Sequence, residues 1–99
     1  MMNKRTNKYR IKLELLETAK ADETVYEPIE LEFDNHDNIF VIIERMKNRD
    51  LFETKQQAVE FAIGLKMFSE VMLKNRKIEL FSDFRPAFSE FMKKLKGTK

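Results

Sequence analysis

A chain of 99 residues sets one domain with one modest core, since at this size folding covers only about two-thirds of the extended chain's surface. Its 42% hydrophobic and 36% charged residues predict a folded domain with a heavily charged exterior, not a disordered segment. The absence of cysteine excludes a disulfide framework, a thiolate nucleophile and a cysteine-bound metal, and suits a reducing compartment, so the cytoplasm is the expected setting.

The net charge of +2 conceals three blocks. Residues 1–12 carry +5, residues 13–37 carry −8 and residues 38–99 carry +5. Blocks of this kind attract one another within a fold, and the near-neutral total argues against nucleic acid as the main partner. No run approaches the roughly 18 apolar residues of a membrane span, and the basic start is not followed by the apolar core of a signal peptide.

Met1 to Asn7 is polar and aperiodic, and reads as a loose terminus. From Lys8 the chain alternates, with Tyr9, Ile11, Leu13 and Leu15 on one face and Lys8, Arg10, Lys12 and Glu14 on the other, which predicts a half-buried strand. A polar loop from Glu17 to Thr24 leads to a second alternating run with Val25, Ile29, Leu31 and Phe33 inward. Antiparallel pairing with residue numbers summing to 42 sets Tyr9 opposite Phe33 and Ile11 opposite Leu31. On the other face the same register sets Lys8, Arg10 and Lys12 opposite Asp34, Glu32 and Glu30. Both faces agree on it, and each favourable cross-strand pair contributes about 0.2–1 kcal/mol.

Asp34 or Asn35 is the expected cap of a short helix, with His36, Asp37 and Asn38 in its first turn and Ile39, Ile42, Ile43 and Met46 at helical spacing. Leu51 and Phe52 close the junction before the central helix, in the manner of a hydrophobic staple. That helix, residues 55–75, opens on the capping box Thr54 to Gln57 and is apolar on two faces. One face holds Ala58, Phe61, Ala62, Leu65, Phe68, Met72 and Leu73, the other Val59, Ile63, Met67 and Val71, so cover is needed on both. Gly64 in its interior predicts the close approach of another backbone. Arg76 to Phe81 reads as a connection with Ile78, Leu80 and Phe81 tucked inward, and Asp83 as the cap of a last helix with Pro86 in its first turn. Phe84, Phe88, Phe91, Met92 and Leu95 form that helix's apolar stripe, and Gly97 ends it.

The expected architecture is therefore α+β: an antiparallel β-hairpin followed by three α-helices, with the central helix, residues 55–75, buried. One domain spans residues 8–96, and residues 1–7 and 97–99 are loose termini.

Chemistry-bearing constellations are sparse. His36 beside Asp37 forms a candidate polar cluster, but the chain holds one histidine and no cysteine, too few ligands for a metal site, and no serine stands in a context where His36 would activate it. With two distant glycines there is no phosphate-cradling loop, and the phenylalanines fall on faces assigned to the core. No cofactor and no enzymatic activity are expected. Lys66, Glu70 and Lys74 recur every four residues beside Val59, Ile63 and Met67, which is either solvated surface or the polar rim of an interface. Those six residues are the candidate interaction surface, with a second copy of the chain or another protein as the expected partner. Nucleic-acid binding through the basic termini and the last helix is the alternative.

At these residues the chain resembles an uncharacterised bacterial family, domain of unknown function 3861. The resemblance rests on Tyr9 to Ile11, Phe33 to Phe40, Leu51-Phe52, Ala62 to Lys74 and Pro86 to Lys96, the central-helix stretch being the most specific. It implies a small, single-domain, cytoplasmic bacterial protein, and it carries no activity onto any residue.

Overall fold

The computed structural model describes residues 5–20 and 24–97. The outermost residues of the expected loose termini, 1–4 and 98–99, and residues 21–23 of the inter-strand loop lie outside the described ones. Strands β1 (Asn7–Leu13) and β2 (Ile29–Asn35) form a two-stranded antiparallel sheet, followed by helices α1 (Ile39–Arg49), α2 (Lys55–Lys74) and α3 (Glu79–Gly97). This is the α+β order expected from the sequence. The register is also the expected one, from Asn7 opposite Asn35 to Leu13 opposite Ile29. On the inner face Tyr9 stacks on Phe33 with ring centroids 5.5 Å apart, and on the outer face Arg10 pairs with Glu32.

Helix α1 starts later than the local cap signals suggest. Its N-cap is Asn38, whose side chain accepts from the backbone N–H groups of Phe40 and Val41, not Asp34 or Asn35. Asn35 is unavailable as a cap because its amide is committed elsewhere, as described below. The helix ends at Asp50, which adopts the left-handed conformation (φ 60°) that allows a tight turn into the next element.

Helix α2 starts at Thr54 as expected, Thr54 Oγ1 accepting from Gln57 N–H at 3.1 Å. The return bond of the capping box is displaced by one residue, for Gln57 Oε1 accepts from the Glu53 N–H and not from that of Thr54. α1 and α2 pack as a helical hairpin around Met46, Ala58 and Ala62, with Ile42, Ile43, Phe52, Phe61 and Leu95 against them. Two alanines on α2 let the helices approach closely, and Phe52 fills the corner with its ring tilted against Phe61, centroids 5.1 Å apart. Along α2, full burial is concentrated at Ala58, Ala62 and Met72.

The last helix departs most from expectation. α3 begins at Glu79, with the N–H groups of Phe81 and Ser82 both bonded to the Ile78 carbonyl. Asp83 is therefore inside the helix and not its cap, and Pro86 lies in the interior instead of the first turn. Proline there has no N–H to give the Ser82 carbonyl, a loss that costs a helix about 3 kcal/mol. What offsets it is aromatic packing, because Phe81, Phe84 and Phe88 all meet Phe68 of α2 edge-on at 6.1 Å. Phe81 is thus half-buried, whereas Ile78 and Leu80 are exposed and not tucked inward.

Gly64 also differs from expectation. Its φ is not positive, and a Cβ built on it would meet nothing within 4 Å, so no neighbouring backbone approaches. Within one chain it costs α2 about 1 kcal/mol relative to alanine with nothing gained.

The two ends of α1 yield a pair of opposite predictions. Asn38→Ala should lower the unfolding free energy by about 1 kcal/mol by stripping two N–H groups of their acceptor. Asp50→Gly should raise it by up to about 1 kcal/mol, because glycine enters the left-handed region without steric cost. Urea melts of both variants check the assignments, and a wild-type-like Asn38→Ala would rule out the cap.

Candidate functional site

The densest polar constellation is where the end of β2, the β2–α1 loop and the middle of α2 meet. Asn35, the last residue of β2, is buried at 1% exposure and bonded on both sides of its amide. Its Oδ1 accepts from Asp37 N–H at 3.0 Å, closing a local turn, and its Nδ2 donates to the Lys66 carbonyl at 3.4 Å. Tyr9 of β1 completes the junction: its hydroxyl donates to the Asp37 carbonyl at 2.9 Å and accepts from Ile39 N–H, the first amide of α1, at 3.1 Å. A half-buried hydroxyl that both donates and accepts leaves no unsatisfied group.

An ion pair and a histidine–carboxylate contact ring this junction. Lys66 Nζ lies 2.5 Å from Asp37 Oδ2, and His36 Nδ1 lies 3.9 Å from Glu70 Oε1. The structure therefore joins His36 and Asp37 with Lys66 and Glu70, which the sequence presents as two separate features. Lys66 and Glu70 reach across to the loop instead of pairing along the helix, while Lys74 is exposed one turn beyond. Val59, Ile63 and Met67 are half-buried on the same side of α2. The chain's own β2–α1 loop thus occupies part of the surface formed by these six residues. Sequence reasoning missed Tyr9 and Asn35 as members of the junction. An inward tyrosine among aliphatic residues is the available signal, because a buried hydroxyl needs a partner.

The carboxyl of Asp37 is held below the usual carboxylate range. The hydrogen bond from Lys66 is the main cause; partial burial opposes it, and the charges of Lys66, His36 and Lys96 reinforce it. Chemically the cluster is closed on itself, with Lys66 facing Asp37 and His36 facing Glu70. The neighbouring hydroxyl, Ser69 Oγ, donates to the Lys66 carbonyl. Among the described residues no group of three or more histidine, aspartate or glutamate side chains is placed to hold a metal ion.

Two open clefts flank the helices. One, about 790 Å³, lies between α1 and the end of α3, with Ile42, Met46 and Leu95 as apolar walls and Arg45, Arg49 and Lys96 among its polar lining. Arg49 spans it by donating to the Leu95 carbonyl. The other, about 460 Å³, runs between α2 and α3 and is walled by phenylalanine rings over Gly64.

A hairpin locked through its tyrosine and asparagine onto a helical pair, with a third helix held by rings, defines a small α+β domain, and no described helix is long and apolar enough to cross a membrane. Residues 7–97 match the family model of a domain of unknown function with a solved structure, DUF3861, and the chain belongs to that family. A crystal structure of a protein of unknown function from the bacterium Pectobacterium atrosepticum is similar over 94% of this chain and 99% of that one, with 32% identity and a TM-score of 0.80. No curated protein matches the chain.

The Asp37 pair sets a pH dependence. Because the folded-state pKa is lowered, Asp37 contributes its stability in full above the unfolded value, about 3.9, and loses it as pH falls through the folded value. With its side chain 39% exposed, solvent screening limits that contribution to under about 1 kcal/mol. Asp37→Asn should therefore be less stable at pH 7 and should show a shallower loss of stability below about pH 4. An acid limb unchanged in Asp37→Asn would show that other carboxylates carry it.

Proposed function

We propose that this chain is a non-enzymatic protein-interaction module that acts in the cytoplasm as a homodimer. The observation that carries the reading is surface. The accessible area is 8633 Å², whereas a folded monomer of 11.9 kDa exposes about 6,000 Å², an excess of roughly 2,600 Å². The radius of gyration, 16.5 Å, likewise exceeds the value of about 13 Å for a compact domain of this length. The exposed surface includes the large apolar side chains Leu13, Ile29, Phe68, Phe84 and Phe91, and a standard interface needs only about 800 Å² from each partner. The self-paired charges of the polar junction support a structural role for that cluster over a catalytic one.

Nucleic-acid binding through the basic termini and α3 is the competing reading. In its favour stand Arg45 and Lys96 lining the α1–α3 cleft, and it predicts retention on a nucleic-acid column that falls steeply with salt. Against it stand the near-neutral net charge and the engagement of Arg49 with the Leu95 carbonyl.

Light scattering coupled to size exclusion at micromolar concentration tests the dimer. The expected mass is twice 11.9 kDa, and a single species of 11.9 kDa would remove the homodimer.

A further inference from the structure

A homodimer needs a face, and three independent observations select one. The first is Gly64, which stands in the interior of α2 without a positive φ and without any neighbour that its missing Cβ would touch. Nothing inside the chain accounts for a glycine there. A backbone arriving from outside would, since only glycine removes the side chain that keeps another element at a distance.

The second is the composition and relief of the groove around it. Gly64 forms a hollow between Phe61 and Phe68 on α2, faced by Phe84, Phe88 and Phe91 on α3, with Glu60 the one charged side chain lining it. Phe68, Phe84 and Phe91 each remain 43% exposed, so the rings stand as ridges beside the hollow. One patch therefore carries both projections and a recess. A two-fold interface requires that self-complementarity, because the same surface must serve as both halves of the contact.

The third is what the hairpin forbids. Joining two copies edge to edge through β1 in antiparallel register about Arg10 would set Arg10 against Arg10 and Lys8 against Lys12 on the outer face. Joining through β2 about Glu32 would set Glu32 against Glu32 and Glu30 against Asp34. Like charges directly opposite are destabilising in a ladder, and both free edges of the sheet present them. The α2–α3 groove has no such obstacle.

We propose that the α2–α3 groove is the seam onto which a second copy of this chain docks, with the two-fold axis near Gly64 and the exposed rings of each copy seated in the hollow of the other. This rests on the homodimer reading above and assigns its surface. Aromatic side chains are the residues that most often dominate binding at the centre of an interface, and here they line a recess whose one charged side chain is Glu60, which presents a symmetric copy with little charge repulsion.

The test is the dissociation constant of the dimer for wild type, Gly64→Arg, Gly64→Ala and Leu13→Lys, measured by sedimentation with far-UV circular dichroism as the check on folding. Gly64→Arg projects into open space in one chain and replaces a poor helix former with a good one, so it should fold; its dimer should weaken about thirty-fold or more, the range of a central contact. Gly64→Ala adds one carbon, should fold at least as well as wild type, and should still weaken the dimer if backbones approach there. Leu13→Lys, on the exposed part of the hairpin, should leave the dimer within about threefold of wild type. A wild-type dimer that Gly64→Arg and Gly64→Ala leave intact overturns the seam while keeping the homodimer, and loss of dimer in Leu13→Lys alone would move the seam to the hairpin. A monomeric wild type removes the homodimer and the seam together.

Discussion

The hydroxyl of Tyr9 and the amide of Asn35 are the constraint on which the arrangement of this domain depends. A two-stranded sheet has no independent stability to speak of, and its position relative to the helices must be fixed by something beyond its own ladder. Tyr9 fixes it from β1 by taking the first amide of α1 and the Asp37 carbonyl, and Asn35 fixes it from β2 by tying the loop to the Lys66 carbonyl in the middle of α2. Buried polar groups of this kind contribute modestly to net stability but are expensive to leave unsatisfied. Another placement of the hairpin would break these bonds and leave the buried Asn35 amide without partners, so they favour one orientation. The Lys66–Asp37 and His36–Glu70 pairs then close the rim of the same joint.

Beyond the joint, the two halves of the helical layer are built differently. α1 and α2 approach through alanine, which permits a short distance and a tight seam around Met46. α2 and α3 are held apart by rings whose centroids are about a ring's width from one another, 6.1–6.3 Å, so the second interface is broad and leaves space over Gly64. Edge-on aromatic contacts are favourable by about 0.5–1.5 kcal/mol each beyond burial, enough collectively to hold a helix with an interior proline. They do not fill the volume between helices as interdigitated aliphatic chains do. The openness of the α2–α3 side follows directly from that choice of side chains.

How far the sequence discloses this structure depends on whether a feature is specified locally. The strand register is legible because two faces constrain it at once, and a slip of one residue would move Tyr9, Ile11 and Leu13 to the charged side. Thr54 as the start of α2 is legible because its acceptor and donor are three residues apart. The start of α1 is not, since four residues from Asp34 to Asn38 have cap-forming side chains and only tertiary structure spends Asn35 on α2 and leaves Asn38 free for the helix. The start of α3 is misread for the same reason: Asp83 and Pro86 form a sound local signal, overridden by the contact of Phe81 with Phe68. His36, Asp37, Lys66 and Glu70 are each visible as charged residues, yet their convergence requires knowing that the end of β2 meets the middle of α2.

The same distinction explains why charge and apolar surface are segregated. On the hairpin's outer face each basic residue of β1 is answered by an acid of β2, so part of the block charge of the sequence is matched within the sheet while a like strand would still be repelled at either edge. This disfavours two-fold pairing of either edge with its own counterpart, even though both edges are geometrically open. The helices have no comparable protection: the α2–α3 side carries one charge at its margin and a row of rings. A small domain that charges its strand edges while leaving an aromatic groove bare would restrict where the proposed association occurs without reducing the drive for it. For the proposed dimer that drive is apolar and non-directional, so its specificity would come from shape, and on this surface the recess over Gly64 is the feature that would supply it.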